Sequence, residues 1–249
     1  ILYSYDGINW SASSSTLFGP AGRGLGIAWN GSLWVAGGYS AGASGKYTII
    51  YSSDGINWSP SASGSSLLDY ICYNIAWNGT MWIAVGATAG DIRNIIYSYD
   101  GINWTNTTAF SAQVYAICWN GSLWTAGGLN SLNTVMYYSY NGFNWTQSSS
   151  TIFTSCNEIA WNGTMFVTAG SGTYSIAYSY DGITWTGSLL YGTIFNGASS
   201  VAWNGSIWVV GGTCSNSGEI GTILYSYDGI NWNNSTSAFG LMDKACTSV

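Results

Sequence analysis

The chain has 249 residues, of which 47% are hydrophobic and 16% aromatic, which excludes a disordered segment. Only 6% are charged, and the net charge is −6 with four basic residues, which argues against a nucleic-acid binder or an anionic membrane surface as partner. No apolar run reaches membrane-spanning length, so no membrane insertion is expected within this segment.

In chain order, the first predicted element is a strand, turn and strand in the phrase YSYDGINW at 3–10. The phrase returns, slightly altered, at 51–58, 97–104, 138–145, 178–185 and 225–232. A second phrase alternates with it, beginning AWNGSLWVAGG at Ala28 and returning at Ala76, Cys118, Ala160 and Ala202. Its first tryptophans, Trp29, Trp77, Trp119, Trp161 and Trp203, are spaced by 48, 42, 42 and 42 residues. In the unit from 71 to 106, the runs ICYNIAWN, TMWIAVG, IIYSYD and INWT read as four short strands. Asn78-Gly79 joins the first two and Asp100-Gly101 the last two, both strong hairpin signals. No helical periodicity is visible. A four-stranded antiparallel unit of about 40–45 residues predicts an all-β chain of β-propeller blades. About six blades are expected, with seven or more, or a segment of a longer array, as the alternative; a β-solenoid is the runner-up.

The pattern Ser-x-Asp-Gly-x-x-Trp resembles the Asp-box of sialidase/BNR-type propellers. Its acidic position is held by Asp6, Asp54, Asp100, Asp181 and Asp228, with Asn141 in the remaining copy. The resemblance implies a structural hairpin between third and fourth strands, not an active site. The repeats are also similar to uncharacterised repetitive proteins of giant viruses and environmental microbes.

The register of the two phrases places residues 1–249 as one propeller-type repeat domain that starts and ends mid-blade, a segment of a longer protein. The NG turns and Asp-boxes fall on one nearly constant face. Length variation falls on the other, and the nine charges outside the boxes lie in its variable links or at their edges. A ligand face is therefore sought there, with Tyr39, Tyr47, Tyr70, Arg93 and Tyr191 as its candidates.

Twelve Asn-x-Ser/Thr sequons occur. The NG-turn residues Asn30, Asn78, Asn120, Asn162 and Asn204 are the better glycosylation sites because turns are exposed. Asn9, Asn103, Asn106, Asn144 and Asn234 follow, and Asn57 and Asn233 complete the set. Of five cysteines, Cys214 with Cys246 is the one disulfide worth testing, and the others read as small buried residues.

With no histidine, common triad chemistry is absent, and no metal or cofactor is expected. Two arginines, Arg23 and Arg93, do not make the arginine cluster that a sialidase needs. The expected function is non-enzymatic: an extracellular, cell-surface or virion-surface glycoprotein for adhesion, coating or filament assembly, with glycans or copies of itself as partners. The alternative is a lectin-like propeller. A degenerate glycoside hydrolase, drawing on Asp69, Glu158 and Glu219, ranks below both.

Overall fold

The computed structural model describes residues 1–13, 15, 17–19, 21–39, 47–90, 93–107, 113–129, 136–150, 152–190, 195–214, 223–235 and 246–249. For residues 93, 94, 189, 190, 195, 196 and 214 only the backbone is described. The chain divides into two compact units, Ile1–Ile117 with Gly142–Asn144, and Cys118–Asn141 with Trp145–Val249.

In the first unit β1 (Leu2–Tyr3) pairs with β2 (Ser11–Ala12) in a sheet of two strands. There follow β3 (Arg23–Trp29), β4 (Trp34–Tyr39), β5 (Ile49–Ser52) and β6 (Ser59–Pro60), each pairing antiparallel with the next. After α1 (Ala62–Leu67), the same order returns in β7 (Ile71–Trp77), β8 (Trp82–Ala87), β9 (Arg93–Ser98) and β10 (Thr105–Asn106). One pair, Tyr39 opposite Ile71, joins the two ladders. β11 (Gln113–Trp119) closes this stretch.

The second unit holds β12 (Trp124–Leu129), β13 (Met136–Ser139) and β14 (Thr146–Gln147). It continues through β15 (Phe153–Trp161), β16 (Phe166–Gly172), β17 (Ile176–Ser179) and β18 (Thr186–Gly187). Leu129 opposite Ser155 joins these two ladders, as in the first unit. The last sheet has β19 (Leu189–Leu190), β20 (Phe195–Trp203), β21 (Trp208–Cys214), β22 (Ile223–Ser226) and β23 (Asn231–Asn234), with β19 parallel to β23.

The second strands are the core. β8 is buried at all six positions, because both of its faces are covered. Val35, Trp82 and Ala84 pack with Ile49, Cys72, Ile75 and Trp104 in the first unit. Val167, Trp208 and Val210 pack with Ile176, Val201 and Trp232 in the second. First strands bulge at one repeated place, between Gly24 and Gly26, Cys72 and Asn74, Cys156 and Glu158, and Ala198 and Ser200. The bulge drives a carbonyl toward the facing second strand. A side chain at Gly86 would collide with Ile71 O, and one at Gly170 with Ser155 O, so the repeated glycines are required for space.

The α1 helix departs from the all-strand expectation. Ser61 caps it, accepting from Gly64 N at 3.1 Å, and Pro60 ends the strand before it. It is too short for its period to show in sequence. Ser61 Oγ donates to Ile102 O at 2.7 Å and Trp104 N donates to Ser63 Oγ at 3.0 Å, so the helix clamps the next Asp-box.

Candidate functional site

The box carboxylates are consumed by their own turns. Asp6 Oδ1 accepts from Ile8 N at 2.8 Å and Asn9 N at 2.7 Å, and Asp6 Oδ2 accepts from Asn9 Nδ2 at 2.7 Å. Ser4 Oγ accepts from Gly7 N and donates to Asp6 Oδ1. The same bonds recur at Asp54, Asp100 and Asp228, and Asp181 repeats the two backbone bonds. In the Asn141 copy, Ser139 Oγ donates to Asn141 Oδ1 at 3.2 Å. Backbone N–H from Asn9, its side chain, and Ile8 N hold the Asp6 carboxyl far below the usual range, and the equivalent groups do so at Asp54. Burial pushes Asp100 and Asp228 up, but the four donors around each outweigh it and bring both to about 2. Such carboxylates stay ionised and saturated with donors, which suits a turn and not proton transfer.

The NG hairpins form, with the turn set one residue later than an Asn-Gly centre. Asn30 N donates to Leu33 O at 3.2 Å, leaving Gly31-Ser32 as the central pair with Gly31 at φ +100°. Asn30 Oδ1 accepts from Ser32 N and Leu33 N at 2.9 and 2.7 Å. Asn78, Asn120, Asn162 and Asn204 repeat this. Cross-strand aromatic pairs brace each turn: Trp29–Trp34, Trp77–Trp82, Trp119–Trp124, Trp161–Phe166 and Trp203–Trp208, at 4.5 to 5.0 Å.

The turns distinguish two kinds of sequon. NG asparagines spend Oδ1 on the turn, not the Nδ2 to which sugar attaches. Asn9, Asn57 and Asn103 instead donate Nδ2 to the box carboxylate. Asn106 and Asn144 are exposed, and Asn234 is half-buried.

On the variable face the structure brings Tyr39 and Tyr70 together, edge to face at 5.4 Å. Tyr70 is exposed; Tyr39 and Tyr47 are half-buried, with Tyr47 against the cluster of Phe18, Ala36 and Ile50. Asp69 Oδ1 accepts from Ala89 N at 2.7 Å. The Arg93 side chain, Tyr191 and Glu219 lie outside the described residues.

Cys246 is a buried free thiol, and its prospective partner side chain at Cys214 lies outside the described residues. Cys72, Cys156 and Cys246 each abut a second-strand glycine, at Gly37, Gly127 and Gly211. Burial pushes the thiols of Cys118 and Cys156 up to about 12, which leaves them unreactive. Among the described residues no group of three or more Cys, Asp or Glu is placed to hold a metal.

Two features were not visible in the sequence. Glu158 was expected at the edge of a variable link but lies inside β15, at its bulge. Its Oε2 accepts from Val201 N at 3.1 Å, Asn157 Nδ2 donates to Ala198 O at 2.8 Å, and burial pushes the Glu158 carboxyl up. The second feature is a tyrosine on every box but one. Tyr5 and Tyr99 in the first unit, and Tyr140, Tyr180 and Tyr227 in the second, are 63 to 89% exposed. Each stands edge to face on the tyrosine two residues before it, at 5.9 to 6.2 Å. The second copy has Ser53 there. The exposure of these tyrosines is fixed by the turn, which the sequence alone does not display.

No family model and no curated protein matches the chain. Among solved structures it is similar to a computationally designed protein, Ika8, at 10% identity and a TM-score of 0.58. That likeness covers 91% of this chain and 64% of the designed one, so the chain spans just under two thirds of that protein's length. It is also similar to a chain of a mitotic checkpoint complex, at 13% identity and a TM-score of 0.62, over 94% of this chain and 71% of the other. At these identities the likenesses bear on fold alone, and with the repeated antiparallel ladders they show a β-propeller-like all-β fold.

Proposed function

We propose that this chain is a non-enzymatic repeat protein of about six four-stranded Asp-box blades, working at a cell or virion surface in adhesion, coating or filament assembly. One observation carries the reading: five boxes each present an exposed tyrosine, and in four of them the turn's carboxylate is already saturated. Repeated copies of one weak aromatic contact give avidity without a deep pocket. A tyrosine ring offers rigid apolar area with a polar tip, at low entropy cost. Replacing the five by serine, the residue already present at Ser53, is the test, with loss of adhesion as the expected result.

The lectin-like reading is favoured by the Tyr39–Tyr70 pair, where the exposed Tyr70 ring and the carboxylate of Asp69 are neighbours. Sugar on the NG turns fits both readings, because their Nδ2 groups are not the turn's anchor. Expression through a eukaryotic secretory host followed by intact mass checks it. The mass falls on enzymatic deglycosylation, and the shift is lost when Asn30, Asn78, Asn120, Asn162 and Asn204 become Gln. An unshifted mass contradicts glycosylation.

A further inference from the structure

The five box tyrosines are the most exposed tyrosines among the described residues. None is below 63%, whereas Tyr70 is at 46% and Tyr174 at 38%. A side-chain hydrogen bond spans each of them. Ser98 Oγ donates to Asp100 Oδ1 across Tyr99, Ser179 Oγ to Asp181 Oδ1 across Tyr180, and Ser226 Oγ to Asp228 Oδ1 across Tyr227, all at 2.9 Å. Ser4 with Asp6 spans Tyr5 at 3.0 Å, and Ser139 with Asn141 spans Tyr140 at 3.2 Å. The span holds the backbone beneath the ring. The ring's exposure then leaves its phenol and ortho carbons open to another molecule. Adhesion uses the ring as a surface and makes no use of the phenol, which has a chemistry of its own: one-electron oxidation.

We propose that these five tyrosines are sites of oxidative coupling between copies of the chain, giving dityrosine bonds that make an adhesive or coating layer permanent. That role rests on the adhesion reading; the coupling chemistry rests on exposure alone. The oxidant is hydrogen peroxide, used through a haem peroxidase. Each phenol gives up one electron and one proton. The two phenoxyl radicals join ortho carbon to ortho carbon, and each ring recovers its aromaticity as the hydrogen on the newly bonded carbon moves to the oxygen. The two electrons and two protons reduce one peroxide to two waters. Two tyrosines and one peroxide therefore give one dityrosine and two waters.

Two features of the turn direct coupling outward. Each box tyrosine meets the half-buried tyrosine two residues before it edge to face, with ring planes 78 to 83° apart. A biaryl bond joins rings edge to edge, so this pair is not aligned to couple with itself. The neighbouring carboxylate is also no base for the phenol proton. Asp100 Oδ1 accepts from Ile102 N and Asn103 N, and its Oδ2 from Asn103 Nδ2. The proton passes to solvent instead, which the exposure of the ring allows.

The test treats the full wild-type chain, and a variant with Tyr5, Tyr99, Tyr140, Tyr180 and Tyr227 all changed to Phe, with hydrogen peroxide and a haem peroxidase. Phe keeps each ring and its stacking and removes only the phenol, so the melting temperature stays that of the wild type. Fourteen of the nineteen tyrosines remain in the variant. Dityrosine fluorescence, denaturing electrophoresis and mass spectrometry of the digested product are recorded. The wild type is expected to form covalent multimers joined at the five positions, and the variant to lose most of the dityrosine. The proposal is overturned if the wild type forms no dityrosine, if its product is confined to single chains, or if the variant keeps most of the signal. Should the variant melt early, the wild-type map decides: bonds at Tyr70, Tyr174 or the half-buried tyrosines in place of the five overturn it. A chain that couples between copies yet adheres to no surface sinks the adhesion reading alone. A chain that adheres and does not couple sinks the coupling alone.

Discussion

The Asp-box carboxylate organises its turn through two backbone N–H groups and a serine, which makes it the counterpart of a helix cap. Its pKa lies below the unfolded value, so its contribution is fully present above about pH 4. That contribution is lost as pH falls through the folded value, about 2 for Asp100 and Asp228. Thermal melts between pH 7 and pH 1.5 should therefore hold level to about pH 4 and then decline. Asp100→Asn flattens part of that decline, because the amide does not titrate in this range, and Asn141 already occupies one copy. A melting temperature independent of pH down to 2 contradicts the role. Glu158 shifts oppositely, raised by burial against the bond from Val201 N.

Strands and turns were legible because each phrase repeats with its own punctuation: Asn-Gly after the first strand, Asp-Gly after the third. What escaped reading depended on neighbours. The turn at Asn30 moved one residue because the asparagine side chain, not the backbone, takes the Leu33 amide. The link serines carry contacts that their sequence does not display: Ser148 Oγ donates to Ile183 O at 2.6 Å and Ser188 Oγ to Gly229 O at 3.2 Å. They clamp the boxes at 178–185 and 225–232 to the preceding link. Packing between strands yields a matched pair of variants. Gly55 and Gly101 share φ +74°, so alanine strains both backbones alike. Only at Gly101 does the new methyl meet Leu33, Val35 and Trp82 within 3.1 Å. Gly101→Ala should cost about 1–3 kcal/mol more than Gly55→Ala in urea unfolding. Equal costs contradict the strand packing described for the first unit.

Identical phrases do not have identical surroundings, and this explains how far the sequence could speak for function. The β-propeller-like architecture follows from period and turn chemistry. The burial of a given side chain does not, because it depends on which strands pack over that copy of the phrase. Likewise, a tyrosine repeated five times reads as scaffold until its exposure is known. No helix among the described residues is long and apolar enough to cross a membrane. The variable links are no longer the sole place to seek function, since five Asp-box turns carry exposed tyrosines.

The most direct measurement compares the wild-type chain with Tyr5, Tyr99, Tyr140, Tyr180 and Tyr227 all changed to Ser. Binding of both is recorded on sensor surfaces coated with polysaccharides, with a hydrophobic layer, or with the protein itself. The wild type should bind at least one surface, and the variant should lose about tenfold or more of that binding with its melting temperature unchanged. No binding by the wild type on any surface, or equal binding by the variant, contradicts the account.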